Sequence, residues 1–451
     1  MRLQFRKLFY SNQDRLGSEG TVIDLSFVKS ETSIVIYALL SSLVARIFLF
    51  PIQGCLSDLG TFAAWFNAAA EYGPFSFYHF ISWCDYPPLN VYIFWTFGSV
   101  AKWLSLYGTS ALNFILKLPS TLFDTATAGL IFLFLRKRVS FNSSLVAMSL
   151  YAFNPATIFN GSVWGQFDAI YTFFLILSLI LVFQSKLTPA VLTFTAAVLA
   201  KPQSIALAPL IVFLIVRKRS WKTVVASVLA SGALILIVAA PLSPSNLVDF
   251  LTYIYLKGYR GYPYTSLNAF NLWAFGGFWK SDAQTLQFLD FFKIGWILFG
   301  VLSAFSFYYL YRISRRAEKN GRSFEITVLF TAFVLLFGFF ILPTRIHERY
   351  LFPVFSVLAM TLPFTTETKV LYGILTVTHL ANLAYVLPFL NASAYISDGD
   401  PFVYSISAIN LATFVFTLLL MVMKLKKGAG SVQAVTSEKP EKMSTAEGEG
   451  Q

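Results

Sequence analysis

"RKRSWKTVVASVLASGALILIVAAPL", residues 217–242, joins a basic cluster to an apolar run. The run at 222–241 has roughly the 20 residues a helix needs to cross a bilayer, and Lys and Arg gather in cytoplasmic loops. The stretch therefore reads as a membrane crossing that begins at its cytoplasmic end. The same alternation repeats on both sides of it. Of 451 residues, 56% are hydrophobic and 12% charged, against about 25% charged in soluble domains. The fold class this predicts is all-α: a polytopic membrane helical bundle, with backbone polar groups satisfied inside the helices.

The formal net charge of +12 sits in short clusters between apolar runs. That distribution marks topology rather than a nucleic-acid partner. "RKR" at 136–138 and 217–219, "RISRRAEKNGR" at 312–322 and "KLKK" at 424–427 are expected to face the cytoplasm. Between these anchors about twelve spans are predicted, near 32–52, 110–135, 143–160, 168–185, 188–200, 202–216, 222–241, 284–311, 324–342, 350–366, 369–388 and 402–423. Both ends then lie inside, with residues 1–30 as a cytoplasmic arm too polar for a cleaved signal peptide. Residues 31–427 form the transmembrane domain, and 428–451, polar and free of aromatics, a disordered tail. Residues 88–107 are apolar enough to span, but a further crossing would put the first "RKR" outside, so an interfacial or re-entrant helix is expected. At "AKPQ", Pro202 breaks a helical pair and leaves Lys201 where it would line a cavity.

With sidedness set by Lys and Arg, the remaining polar features fall on the extracytoplasmic face. The loop at 53–87 holds Asp58, Glu71 and Asp85; "NGSVWGQFD" occupies 160–168; and "YLKGYRGYPYTSLNAFNLW" lies at 255–273. Leu59, Phe62, Ala63, Phe66 and Ala70 recur at helical spacing, so Asp58 starts an amphipathic helix, either as its cap or as a placed carboxylate. Asp85, in "DYPPL", is a second carboxylate on a segment stiffened by Pro87 and Pro88. The only cysteines, Cys55 and Cys84, stand close to these acids. A disulfide between them would close a loop of about 30 residues and be worth roughly 3–4 kcal/mol.

Lys117 and Asp124, seven residues apart, share a helix face and point into the bundle as a possible ion pair between helices. Arg46, near the outer end of the first span, either snorkels or faces the cavity. In "ILPTRIHERYLFPVF", 341–355, a helix from about Pro343 to Glu367 is expected to point its positive end outward, carrying Arg345, His347, Glu348 and Arg349. Such an end binds phosphate well; the plainer alternative is an Arg–Glu pair at the interface. The three histidines, His79, His347 and His379, are too scattered for a metal site. No cofactor is expected, a carboxylate-bound divalent ion stays open, and no Gly-rich phosphate loop or nucleophile elbow is present.

An acidic residue after the first span, "DYPPL" closing a long first outer loop, "WGQFD" after "NP", "KPQ" in a broken helix and "HERY" at a helix start occur in that order. Together they resemble the GT-C superfamily of membrane glycosyltransferases, over roughly residues 30–425. The resemblance is greatest to polyprenyl-phosphate-sugar-dependent enzymes: glycosyltransferase family 87 and the mannosyltransferases of GPI-anchor and lipid-linked oligosaccharide assembly. A lone Asp58 in place of a paired acidic motif departs from the protein O-mannosyltransferase branch, and leaves the base open between Asp58 and Asp85.

The resemblance implies a sugar donor on dolichyl or another polyprenyl phosphate, membrane lipid around it, and a hydroxyl acceptor on a lipid-linked glycan, glycolipid or protein. It implies an inverting transfer, with Asp58 ranked first as general base and Asp85 as its partner. Arg345, His347, Arg349 and Lys201 would stabilise the departing phosphate. Trp164, Gln166 and Asp168 would hold the sugar, and the loop with Tyr259, Tyr262, Asn268, Asn271 and Trp273 would cover the acceptor. Localisation would be multi-pass, in the plasma membrane of a prokaryote or the endoplasmic reticulum of a eukaryote. A transporter or lipid-linked-sugar flippase is the rival class, and a non-enzymatic assembly subunit a further one.

Overall fold

A computed structural model describes residues 25–81, 83–217, 220–286, 288–316 and 321–427. Most of the expected cytoplasmic arm and the expected tail at 428–451 lie outside these residues. The chain divides into two compact units, Met1–Ala38 and Leu39–Gln451, and the second holds every contact that builds the site.

The architecture is all-α, as the composition predicts. Among the described residues, six helices are long and apolar enough to cross a membrane: Leu112–Arg136, Trp221–Leu242, Phe291–Arg315, Gly321–Ile341, Thr366–Asn391 and Pro401–Lys426. Two of them show how lipid changes the usual pattern. Gly321–Ile341 is buried at every position from Thr327 to Ile341, whereas Trp221–Ala239 buries only Ser227 and Ala239. Both are apolar all round, because a face turned away from the bundle meets hydrocarbon rather than water.

Other expected spans are shorter helices. Phe141–Ala152 has 12 residues, Asp168–Phe183 has 16, Leu187–Ala200 has 14, and Ala208–Arg217 has 10. The break at Pro202 falls where the sequence puts it. Lys201 is extended, φ −151° and ψ 134°, as a residue before proline prefers, and a 3₁₀ turn Pro202–Leu207 follows. Leu89–Trp103 has 15 residues, about 22 Å of helix rise, short of the ~30 Å hydrocarbon core. It packs closely on Leu56–Tyr72 because Gly98 has no side chain: a Cβ there would strike the Phe66 carbonyl.

The expected helix from Pro343 to Glu367 does not form as one piece. Residues 342–352 are irregular, and helix begins only at Pro353–Thr361. Two features divert the chain. Ile346 and His347 pair in parallel with Ser266 and Leu267, and Arg345 sits at φ +64°, outside the helical region.

The intramembrane charges also find other partners than predicted. Lys117 and Asp124 share a face, but seven residues separate them by about 10 Å along the axis, and they do not pair. Lys117 Nζ donates to the carbonyls of Phe50 (3.0 Å) and Ile52 (2.8 Å). Asp124 accepts from Arg46 and from the Tyr151 hydroxyl (2.5 Å). Arg46 is 1% exposed, so it neither snorkels nor faces the cavity; it ties the end of the helix Leu25–Ile47 to the helix Leu112–Arg136, which carries Asp124.

Candidate functional site

One cavity of about 330 Å³ gathers residues that are far apart in sequence. Asp58, Asp85, Gln166, Lys201, Tyr262, Arg345, His347, Glu348 and Arg349 all line it. Trp164, Asp168 and Asn271, expected to face a ligand, do not line it, nor do Arg46, Lys117 and Asp124.

Asp58 stands in the first turn of Leu56–Tyr72, but the capping position is Cys55 and no side chain caps the helix. The start of that helix is clamped from two sides. The Leu56 amide donates to Asn391 Oδ1 (2.9 Å), and Asn391 Nδ2 donates to the Gly54 carbonyl (2.9 Å). The Cys55 amide donates to the Trp164 carbonyl (3.2 Å). A Cβ at Gly54 would collide with the Val163 and Trp164 carbonyls, so only glycine permits this approach.

Opposite Asp58, a π-helical turn, Phe159–Trp164, ends at Gly165 with φ +96°. Such turns reorient side chains within a helical segment. Here the turn brings Trp164 Nε1 to Asp58 Oδ2 (2.8 Å), and Gln166 Nε2 donates to the same oxygen. Trp164 is 0% exposed, so its ring has no free face for a sugar: it holds the carboxylate instead. Phe62 and Phe167 stack behind this corner at 4.6 Å, with planes 2° apart.

Asp85 projects from the segment after Trp83, whose carbonyl accepts from Trp65 Nε1 (3.1 Å). Burial pushes the Asp85 carboxyl above its ordinary range, against the pull of Arg349, His347 and Lys201. Among the described residues neither Asp58 nor Asp85 belongs to an ion pair.

The expected Cys55–Cys84 disulfide is absent: both thiols are buried and free. Each thiol turns instead to a neighbour two residues along its own segment. Cys55 Sγ is 3.3 Å from Ser57 Oγ, and Cys84 Sγ donates to the Tyr86 carbonyl at 3.7 Å. Burial, and then Asp58, push the Cys55 thiol up to about 11.

The cations mostly carry their own counter-ions. Lys201 Nζ pairs with Asp168 Oδ1 (2.6 Å) and lies over the rings of Tyr86 (5.2 Å) and Tyr171 (5.9 Å). Asp168 also accepts from Asn160 Nδ2 (3.1 Å) and is 0% exposed, so it neutralises Lys201 and offers nothing to a ligand. Arg345 is gripped by Asp282, with Nε to Oδ2 at 2.7 Å and Nη2 to Oδ1 at 3.2 Å. Asn271 is likewise structural. It accepts from the Trp273 amide (3.0 Å) and donates to the Phe340 carbonyl (3.1 Å).

His347, Glu348 and Arg349 form the remaining charged group. Arg349 Nη1 bonds Glu348 Oε1 (2.8 Å), and His347 Nδ1 lies 3.8 Å from Glu348 Oε2. Burial alone would raise the Glu348 pKa, but the Arg349 guanidinium, with His347, holds it down at about 2. Burial and then Arg349 push His347 below its usual value, which favours the neutral imidazole at physiological pH. Arg349 Nε is buried and has no partner among the described residues, so this guanidinium keeps a donor for a ligand. Tyr262 stands edge-on to His347, ring centres 5.6 Å apart. Among the described residues no group of three or more His, Cys, Asp or Glu side chains could hold a metal ion.

Sequence reasoning missed Asp282, Tyr86 and Asn391. Asp282 and Asn391 bear no local signal, but Tyr86 stands inside the quoted "DYPPL".

The fold and site together define an all-α protein with, among the described residues, six helices suited to a bilayer and a cavity of mixed charge. No family model matches the chain, and no curated protein matches it. Among solved structures it is similar to the apo form of the Archaeoglobus fulgidus oligosaccharyltransferase, at 15% identity and a TM-score of 0.43. The match covers 89% of this chain and 56% of that one, so the chain spans little more than half of that protein's length.

Proposed function

We propose that this chain is a membrane glycosyltransferase of the GT-C type, moving mannose from a dolichyl or other polyprenyl phosphate to an acceptor hydroxyl at the extracytoplasmic face. The observation that carries the reading is that Asp58 and Asp85, which belong to no ion pair among the described residues, line the same cavity as His347 and Arg349. Ionisable groups gathered in one cleft are where acid–base chemistry is found.

In this reading the acceptor O–H gives its proton to Asp58 while its oxygen attacks the anomeric carbon. The bond from that carbon to the phosphate oxygen breaks on the opposite face, the electron pair leaves with the polyprenyl phosphate, and the anomeric centre inverts. Arg349, through its unpartnered Nε, and neutral His347, as a donor, receive the phosphate charge as it develops. Lys201, already neutralised by Asp168, packs over the Tyr86 ring and shapes the wall. Asp85 orients the acceptor, and Tyr262 borders it. Arg345 shapes the wall in place of binding phosphate directly, because Asp282 already neutralises it. Acceptors are a lipid-linked glycan, a glycolipid or a protein.

The test is transfer by the purified chain in lipid, offered a panel of polyprenyl-phosphate sugars, with products read by mass spectrometry. Mannose transfer with inversion is expected; no transfer from any lipid-phosphate sugar overturns the proposal.

A further inference from the structure

The hydrogen bonds around Gln166 have an orientation that chemistry fixes. A carboxylate only accepts, so the Gln166 amide must turn its Nε2 toward Asp58 and its Oε1 away. The Tyr86 hydroxyl lies 3.1 Å from that Oε1 and must therefore donate to it. Ser120 Oγ donates to the Gln166 carbonyl (2.6 Å), and the Gln166 amide N–H reaches the Asn160 carbonyl (3.0 Å), so the backbone is fixed as well. Gln166 is 1% exposed, so its amide depends on these protein partners rather than on bulk water. Trp164 Nε1, which can only donate, occupies the same Oδ2. Oδ2 thus takes two neutral donors, and Oδ1 takes no hydrogen bond among the described residues.

We infer that Tyr86, Gln166 and Trp164 are positioning residues that select Oδ1 of Asp58 as the atom that takes the acceptor's proton. The inference rests on Asp58 being the base. Trp164 and Gln166 hold the carboxylate plane from one side, and Tyr86 holds Gln166. Replacing Tyr86 by Phe leaves Oε1 of a buried amide unpaired, and the amide turns to find a partner. Asp58 then loses a donor and its fixed plane together. Neutral donors do this without supplying a counter-charge, which would suppress the basicity the reaction needs.

The experiment compares Tyr86→Phe, Gln166→Leu and Trp164→Phe with wild type and with Asp58→Asn, in lipid, per mole of folded protein. Tyr86→Phe keeps the ring and removes only the hydroxyl, whereas Trp164→Phe removes the indole N–H together with part of the buried ring system. Each positioning variant is expected to lower kcat by about 10-fold to 100-fold, the scale of one lost bond to a charged group. KM for donor and acceptor should stay within about twofold. A merely structural defect lowers the active fraction and leaves kcat per folded molecule in place, whereas lost positioning lowers kcat while KM holds. If Asp58→Asn is inactive while Tyr86→Phe and Trp164→Phe keep wild-type kcat per folded molecule, the positioning inference is wrong and the base assignment stands. If Asp58→Asn transfers at the wild-type rate, the base assignment itself is wrong.

Discussion

Arg345 and Asp282, 63 residues apart, meet in a forked ion pair with contacts of 2.7 and 3.2 Å. The arginine amide donates to the Tyr264 carbonyl (2.9 Å), Nη1 donates to the Tyr259 carbonyl (3.0 Å), and the guanidinium lies 4.7 and 4.5 Å from the ring centres of Tyr259 and Phe292. Asp282 also accepts from Thr344 Oγ1 (2.9 Å). The pair therefore fastens the 342–352 segment, which carries His347 and Arg349, to the loop before the helix Phe291–Arg316.

Removing one partner of such a buried pair leaves an uncompensated charge, at a cost of about 3–5 kcal/mol. Asp282→Ala is expected to destabilise the protein on that scale. Asp282→Leu combined with Arg345→Met is expected to cost less than the sum of the two single changes. Thermal unfolding of the three variants in one detergent measures the coupling.

Glu348 gives a pH signature. Its folded pKa, about 2, is below the ordinary 4.5, so its contribution is fully present above about pH 4.5 and is lost as pH falls toward 2. Glu348→Gln leaves Arg349 without its counter-ion. The stability gap between wild type and variant should be constant above pH 4.5 and narrow below it. A gap that widens on acidification contradicts the assignment.

Gly54→Ala is expected to destabilise by about 1–3 kcal/mol, the cost of overpacking, because its Cβ meets two backbone carbonyls that cannot swing aside. Since those carbonyls belong to Val163 and Trp164, the substitution should also move Asp58 away from the Trp164 indole. Transfer rate per folded molecule should fall, whereas Gly60→Ala, whose Cβ meets nothing within 4 Å, should leave the rate unchanged.

His379 is 1% exposed beside the Phe355 ring (5.4 Å), and neither ring nitrogen has a partner among the described residues. An unpaired polar group in such a place costs roughly 1–3 kcal/mol. His379→Leu is therefore expected to melt at the wild-type temperature or above it. A fall of several degrees on thermal unfolding would show that the imidazole is held by bonds this account lacks.

Local chemistry explains how far the sequence could be read. The break at Lys201 was legible because proline constrains only its own neighbourhood. The 342–352 segment was misread as helix because its backbone bonds go to Ser266 and Leu267, distant in sequence. Trp164 and Asp168 were expected to hold a sugar, yet neither lines the cavity, because their direction was not legible. Whether a side chain faces the cavity or braces another residue depends on the π-helical turn and on Gly165, and hydropathy periodicity reports neither. The partners of Arg46, Lys117 and Arg345 are likewise set by packing rather than by spacing along one helix.

The most direct test of the central claim is the single-turnover rate of mannose transfer from a polyprenyl phosphate by Asp58→Asn, beside wild type and Asp85→Asn. A general base typically contributes about 10²–10⁴-fold, so Asp58→Asn should lose at least about 100-fold in rate with donor affinity retained, and Asp85→Asn should lose less. Full transfer activity in both variants would contradict the account.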